Sequence, residues 1–282
     1  MIVVTGATGN VGRPLVQALA AAGERVTAVS RGVSDEKTAP DGVRYRQADL
    51  TDPESLRHLL DGADALFLHD GGASAHRLSP PDILDIAKAG GVGRVVLLSS
   101  IAVATRPQSA SHGGMMRAIE DAARQSGLSW TILRPGFFNS NAYAWVETVR
   151  DQRTVAAPFG DVGLPTIDPA DIAEVAAAAL RQDGHAGQTY ALTGPARTTP
   201  RQRAEAVADA LGEPVRFIEQ TREEARAQML RFMPEPVVET TLDAIGEPTP
   251  AELRISADVE RVLGRAPGTF AGWVERNIAA FR

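Results

Sequence analysis

Residues 2–22 read IVVTGATGNVGRPLVQALAAA: a short apolar run, three glycines spaced three apart, then an Ala/Leu-rich segment. Few backbones satisfy this pattern. A strand that stops at Gly6 and restarts as a helix near Gly12 must turn sharply. The new helix then points unpaired N–H groups and the positive end of its dipole into the turn. Gly6 permits the turn, Gly9 the close approach of a phosphate, and Gly12 tight packing of helix on strand. Thr8, Asn10, Val11 and Arg13 complete the loop. The stretch is read as a pyrophosphate cradle opening a dinucleotide-binding fold.

The rest of the first half repeats the unit. Strand-like runs at 2–5, 25–30, 43–48, 65–69, 94–100 and 129–135 alternate with helical patterns at 11–22, 53–61, 80–89 and 113–126. Several runs are apolar throughout, as strands covered on both faces require. The expected fold is α/β, a Rossmann-type doubly wound parallel sheet with a smaller C-terminal substrate lobe. Residues 1–150 form the NADP(H)-binding Rossmann domain in this reading. Residues 151–282 form the substrate-binding lobe, with some chain returning to the sheet. In that part prolines loosen the alternation, but Asp168 and Pro169 suit a helix cap and first turn over 168–181. Further elements are expected at 188–194, 200–211, 215–219 and 222–233, the last carrying Met229 and Phe232 as a lid.

Composition removes other classes of function. The net charge of −6 and a pI near 5.5 leave no basic field for a nucleic-acid backbone. The chain has no cysteine, which excludes disulfides, thiolate catalysis and cysteine-ligated zinc. Its five histidines lack close metal-ligand spacing, so no metal is expected. No run approaches the roughly 18–20 apolar residues of a bilayer span, and a cytoplasmic protein without membrane partners is expected.

The second strand selects the cofactor. A site that prefers NAD places Asp or Glu at its end, to accept from the adenine-side ribose hydroxyls. Here that slot holds Ser30 and Arg31, with Arg13 in the same corner. An arginine there grips a 2′-phosphate through charge-assisted bonds, so NADP(H) is preferred over NAD(H). Asp49 and Leu50 fall beside the adenine, although Asp49 equally suits the start of a turn. His69, Asp70 and Gly71 line the middle of the cofactor.

Together GATGNVG (6–12), ADLTD (48–52), AKAGGVGRVVLLSS (87–100), IEDAARQSGLSWTILRPGFFNSN (119–141) and IDPADIAEVAAAAL (167–180) resemble the NmrA-like NAD(P)-binding branch of the atypical short-chain dehydrogenase/reductases. The resemblance runs on to the helix around Trp273. It implies a Rossmann fold with a small substrate lobe, and NADP(H) more often than NAD(H). It leaves function open, because the branch holds both reductases and non-catalytic redox sensors.

By the same resemblance Ser99 and the segment Pro135, Gly136, Phe137 and Phe138 lie along the cofactor. Ser100 stands where the superfamily uses a serine to polarise the carbonyl. Its usual Tyr and Lys are replaced by His112 and Met116. With an unperturbed pKa of about 6.5, His112 can serve as a general acid, and Met116 is expected to pack near the nicotinamide. Phe137, Phe138, Tyr143 and Trp145 cluster within nine residues. They are core, or with Met116 a platform for a flat substrate; Tyr143 is a second acid candidate. The preferred reading is an NADPH-dependent reductase of a small aromatic ketone or quinone, such as a polycyclic secondary metabolite. The alternative is a sensor that binds NADP(H) without turnover. An activated acceptor asks less of the proton donor and suits a site lacking the Tyr–Lys pair.

Overall fold

The structure, a computed structural model, describes residues 1–32, 39–69 and 77–282. Asp70 and Gly71 lie outside the described residues. The first half contains β1 (Ile2–Thr5), α1 (Gly12–Ala21), β2 (Val26–Ser30), β3 (Val43–Gln47), α2 (Arg57–Leu60) and β4 (Ala65–Leu68). It continues with α3 (Pro80–Ala89), β5 (Arg94–Leu98), α4 (Ala102–Thr105), α5 (Met115–Gln125) and β6 (Ser129–Pro135). The second half adds α6 (Val146–Gln152), β7 (Thr154–Pro158), α7 (Pro169–Arg181), β8 (Gln188–Leu192) and α8 (Pro200–Leu211). It closes with β9 (Arg216–Gln220), α9 (Arg222–Met229), α10 (Glu235–Gly246), α11 (Asp258–Leu263) and α12 (Phe270–Asn277).

Seven strands form a parallel sheet in the order β3-β2-β1-β4-β5-β6-β8. The chain therefore reverses direction across the sheet between β1 and β4, and ligands of such sheets bind outside the strand ends at that reversal. Period-two alternation distributes the core. Val4, Phe67, Val96 and Leu133 pack with Leu15 and Leu19 of α1 and Ile172 and Ala176 of α7. Their neighbours Val3, Leu66, Val95 and Ile132 face the opposite way, onto Ile83 of α3 and Ile119 of α5. Each fully buried Leu or Ile contributes about 1.5–3 kcal/mol, so both faces are strongly specified.

Residues 169–192 return to the sheet, as α7 against α1 and as β8 beside β6. Asp168 caps α7 by accepting the Ala170 N–H at 2.9 Å, and Pro169 fills the first turn. At its other end Arg94 donates to the carbonyls of Leu180 (3.0 Å) and Gln182 (2.9 Å), which the helix leaves unpaired.

The remaining lobe is a small layered unit. β7, which the sequence reading did not anticipate, pairs in parallel with β9. These strands, α6, α8 and α12 enclose Val149, Val155, Val207, Trp273 and Phe281. Ahead of α5 the chain makes a π-helical turn over Ala110–Gly114, with Gly114 N–H donating to Ser109 O at 2.7 Å. The helix expected over 113–126 thus begins wider than an α-helix. Gly113 makes this possible: a Cβ there would stand 2.2 Å from Arg106 O.

Candidate active site

At the β1/β4 reversal the Thr5 hydroxyl joins the two strand ends, donating to Phe67 O at 2.9 Å and accepting His69 N–H at 3.1 Å. Beyond it lies a groove of about 420 Å³. Gly6, Thr8, Gly9, Asn10, Val11 and Gly12 form its floor. Gly6 has φ +64°, a conformation that glycine adopts at little cost. At Gly12 a Cβ would sit 2.1 Å from Gly6 O and 2.8 Å from Ala7 Cα, so loop and helix approach as closely as backbone allows. The Asn10 amide donates to Ser140 Oγ at 3.1 Å, tying this loop to the segment after β6. A turn this tight at the start of a ten-residue helix fits a pyrophosphate.

The groove continues past Val29, Ser30 and Arg31 to Asp49, Leu50 and Thr51, with His69, Leu78, Leu98 and Phe138 along its other side. Ser30 donates to Gly32 O at 2.7 Å, so Arg31 is the charged group at the end of β2. Arg13 is exposed and lies next to the loop, donating to Thr8 O at 3.3 Å. Asp49 both lines the groove and holds its own turn. Its carboxylate accepts the Thr51 N–H at 2.9 Å, and the Thr51 hydrogen bonds keep it below the usual carboxylate range.

Other expected contacts fall elsewhere. Ser99 is buried, donates to Glu120 Oε1 at 2.6 Å and is not among the residues lining the groove. Glu120 also accepts from Arg134 at 2.6 and 2.8 Å and from Arg124 at 2.8 Å. Burial alone would raise the Glu120 carboxyl; the bonds from Arg134, Ser99 and Arg124 outweigh it and hold the group below its ordinary value. Ser100 accepts the Ala102 N–H at 3.2 Å and does not line the groove. Pro135 and Gly136 are tied into backbone pairing, Pro135 O accepting Ile101 N–H and Gly136 N–H donating to Leu192 O. Neither residue lines the groove.

A second cavity is also about 420 Å³; consecutive residues line the two spaces, Phe138 the first and Phe137 the second. Asn141, Ala144, Trp145 and Thr148 supply one wall. Met229, Phe232, Met233, Thr241 and Ile245 supply another, and Arg203 stands at the start of α8. Phe232 lines the cavity while remaining 67% exposed, which places it at the rim. Pattern reading had singled out Trp145, Met229 and Phe232. It missed Asn141, Thr148, Arg203 and Thr241, which gather only when the lobe folds; a helix was expected over 200–211, and in the structure a Thr199–Gln202 capping box starts it, but neither says what its first turn faces.

Three expected site residues are displaced. Met116 is 4% exposed and packs with Ile119 and Ala123 against the sheet, because the π-helical turn rotates it off the His112 face. Tyr143 lines neither cavity. It lies in the 3₁₀ segment Asn139–Trp145, where Asn141 and Ala144 share a face three residues apart and Tyr143 is turned away. Its hydroxyl donates to Asn277 Oδ1 at 2.6 Å, its ring lies 5.0 Å from Trp273, and burial holds its pKa above the ordinary value. His112 is half-buried behind Thr241, with Nδ1 3.0 Å from Ser111 Oγ and Nε2 3.4 Å from Thr241 Oγ1. Burial and the nearby Arg106 cation push its pKa below the ordinary histidine value, so it is mainly neutral at neutral pH.

A glycine turn suited to phosphate at the reversal of a seven-stranded Rossmann sheet, with a second cavity in the same chain, marks the class of NAD(P)-binding proteins. Residues 6–183 match the family model described as NAD(P)H-binding. The chain belongs to that family, and it shares its fold with the transcriptional regulator NmrA, at a TM-score of 0.74 and 19% identity, covering 99% of this chain and 95% of that one. It is 35% identical, over 100% of this chain and 99% of the relative, to the (4-alkanoyl-5-oxo-2,5-dihydrofuran-3-yl)methyl phosphate reductase of Streptomyces griseus. It is 30% identical, with the same coverage, to the NAD(P)H azoreductase of Xenophilus azovorans. The NADPH-dependent quinone oxidoreductase of Escherichia coli, solved with NADPH, superposes with a TM-score of 0.80 at 23% identity, covering 98% of this chain and 99% of that one. The chain is an NAD(P)H-dependent oxidoreductase.

Proposed function

We infer that this oxidoreductase uses NADPH to reduce a planar ketone or quinone-like acceptor held in the second cavity. The observation that carries the reading is the cavity itself: a largely apolar space with aromatic lining, to which Phe137 contributes while the next residue, Phe138, lines the cofactor groove. Phe137 and Trp145 support a flat ring, while Asn141, Thr148 and Thr241 offer orienting hydrogen bonds. When bound, NADPH supplies a hydride from its nicotinamide C4 to the acceptor carbon. Reductase relatives over the full chain favour turnover at this site over a purely sensing role.

Little acid strength is available. Apart from the Arg203 guanidinium, which is too weak an acid to give up a proton, the polar groups on the cavity wall are amides and hydroxyls, and His112 reaches it through Thr241. Acceptors whose reduced form is a stabilised anion, as quinones give, suit such a site because water can complete the proton transfer. A simple ketone gives a more basic alkoxide, which takes a proton from Thr241 Oγ while His112 Nε2–H replaces it. This relay requires imidazolium, and its population grows as pH falls towards the lowered His112 pKa. Turnover of a ketone is therefore expected to rise from neutral to mildly acidic pH, and His112→Ala to slow it by about 10²-fold. Quinone turnover should show neither effect. A flat pH profile with unchanged ketone turnover in His112→Ala would remove the relay.

Preference for NADPH is assigned to Arg31. Arg31→Ala is expected to weaken NADPH by about 1.5–3 kcal/mol and leave NADH almost unchanged, measured as Kd by fluorescence titration. Equal losses for both cofactors would refute the 2′-phosphate role. For the reaction itself, loss of NADPH absorbance against a panel of quinones and aromatic ketones is the direct test. Tight NADPH binding without turnover of any of them would overturn the assignment.

A further inference from the structure

The second cavity has a feature that reduction of a neutral quinone does not require. Arg203, in the first turn of α8, is the charged side chain among its described lining residues, which include no Asp or Glu. Its Nε donates to Thr199 O at a long 3.4 Å. The guanidinium carbon lies 5.8 Å from the centre of the Trp145 ring and 5.9 Å from that of Phe270. Arginines nearby are neutralised: Arg201 pairs with Glu219 at 3.1 Å and Arg222 with Asp243 at 2.8 Å. Among the described residues no carboxylate pairs with Arg203. Burial, the sole influence on its pKa, pushes the group down to about 10, so it still carries its charge at neutral pH.

A largely buried cation without a counter-charge is costly, and aromatic neighbours compensate it only in part. Ring contacts engage the faces of a guanidinium, whereas its hydrogen-bond donors point outward in its plane as a fork suited to paired oxygens. We propose that Arg203 is an anion subsite, and that the acceptor reduced here carries a phosphate monoester or a carboxylate beside its apolar body. The proposal rests on the reductase reading of this cavity and narrows its substrate class.

Calorimetric titration of the NADP-saturated protein tests it with three non-reducible probes: naphthyl phosphate, naphthylacetate and naphthylmethanol. Saturation with NADP fills the Arg31 end of the groove and leaves the second cavity for the probe. An anion is expected to bind at least about tenfold more tightly than the alcohol, and Arg203→Gln to lose about ten- to hundredfold of that affinity. Arg203→Lys should recover part of it, since it restores charge without the fork. Phosphate ahead of carboxylate identifies a phosphate monoester; equal affinity identifies an anion of either kind. The proposal is overturned if the alcohol binds as well as both anions, or if Arg203→Gln keeps the anion preference. The wild-type comparison stands even if the glutamine variant fails to fold. Anion binding without turnover of any quinone would count against the reductase reading and leave the subsite intact, whereas turnover without anion preference would do the reverse.

Discussion

Glu120→Gln is expected to cost about 3–5 kcal/mol of folding stability, because removing one side of a buried ion pair strands the other. Glu120 is fully buried on α5 and accepts four hydrogen bonds from three donors: Ser99 after β5, Arg134 on β6 and Arg124 one turn along its own helix. Glutamine keeps the shape and can still accept from Ser99. It cannot neutralise Arg134, whose side chain is 20% exposed. Denaturant titration measures the loss, and a change below about 1 kcal/mol would show that the arginines find other partners. The same group gives a pH signature. Its folded-state pKa is depressed, so its contribution is complete above the unfolded carboxyl value and fades as pH falls through the lower folded value. Acid destabilisation below about pH 4.5 should therefore be weaker in Glu120→Gln than in the parent chain.

Gly12→Ala is expected to weaken NADPH by roughly a hundredfold or more, with a comparable loss for NADH. The added carbon would lie 2.1 Å from Gly6 O and 2.7 Å from Gly6 C, both backbone atoms. No rotamer change relieves that overlap, so the loop itself must move, at a cost of about 1–3 kcal/mol before any ligand is considered. A displaced loop no longer aims its N–H groups at the pyrophosphate, and Kd suffers in addition. Gly93→Ala is the control: its nearest contact would be an ordinary 3.9 Å, and both stability and binding should be retained. NADPH affinity in Gly12→Ala equal to that of the parent would refute the cradle.

Much of the sheet and the cofactor groove could be read from the chain because their signals are local. The glycine triplet, strand 2–5 and the helix after it occupy adjacent positions, and Arg31 follows from where β2 ends. The β7–β9 pair was less legible, since Thr154–Pro158 and Arg216–Gln220 find each other across most of the lobe. Met116 and Tyr143 failed for a subtler reason. Met116 was placed by the position of the family's lysine and Tyr143 by its aromatic neighbours in sequence, and neither fixes a face unless the helix type is known. A π-helical turn before Met116 and a 3₁₀ segment through Tyr143 rotate each side chain away from the cleft.

The amino-acid sequence by itself determined the α/β alternation, the phosphate-binding turn, and the arginine in place of an acidic residue after β2. Each rests on backbone sterics or strand periodicity within a few residues. Tertiary structure decided which side chains share the second cavity. Arg203, Thr241, Trp145 and Phe137 come from three separate segments, α8, α10 and the stretch after β6, and only the folded lobe gathers them around one cavity. The charge of Arg203 was visible in the sequence; its desolvation, which makes that charge a recognition element, is a property of the fold.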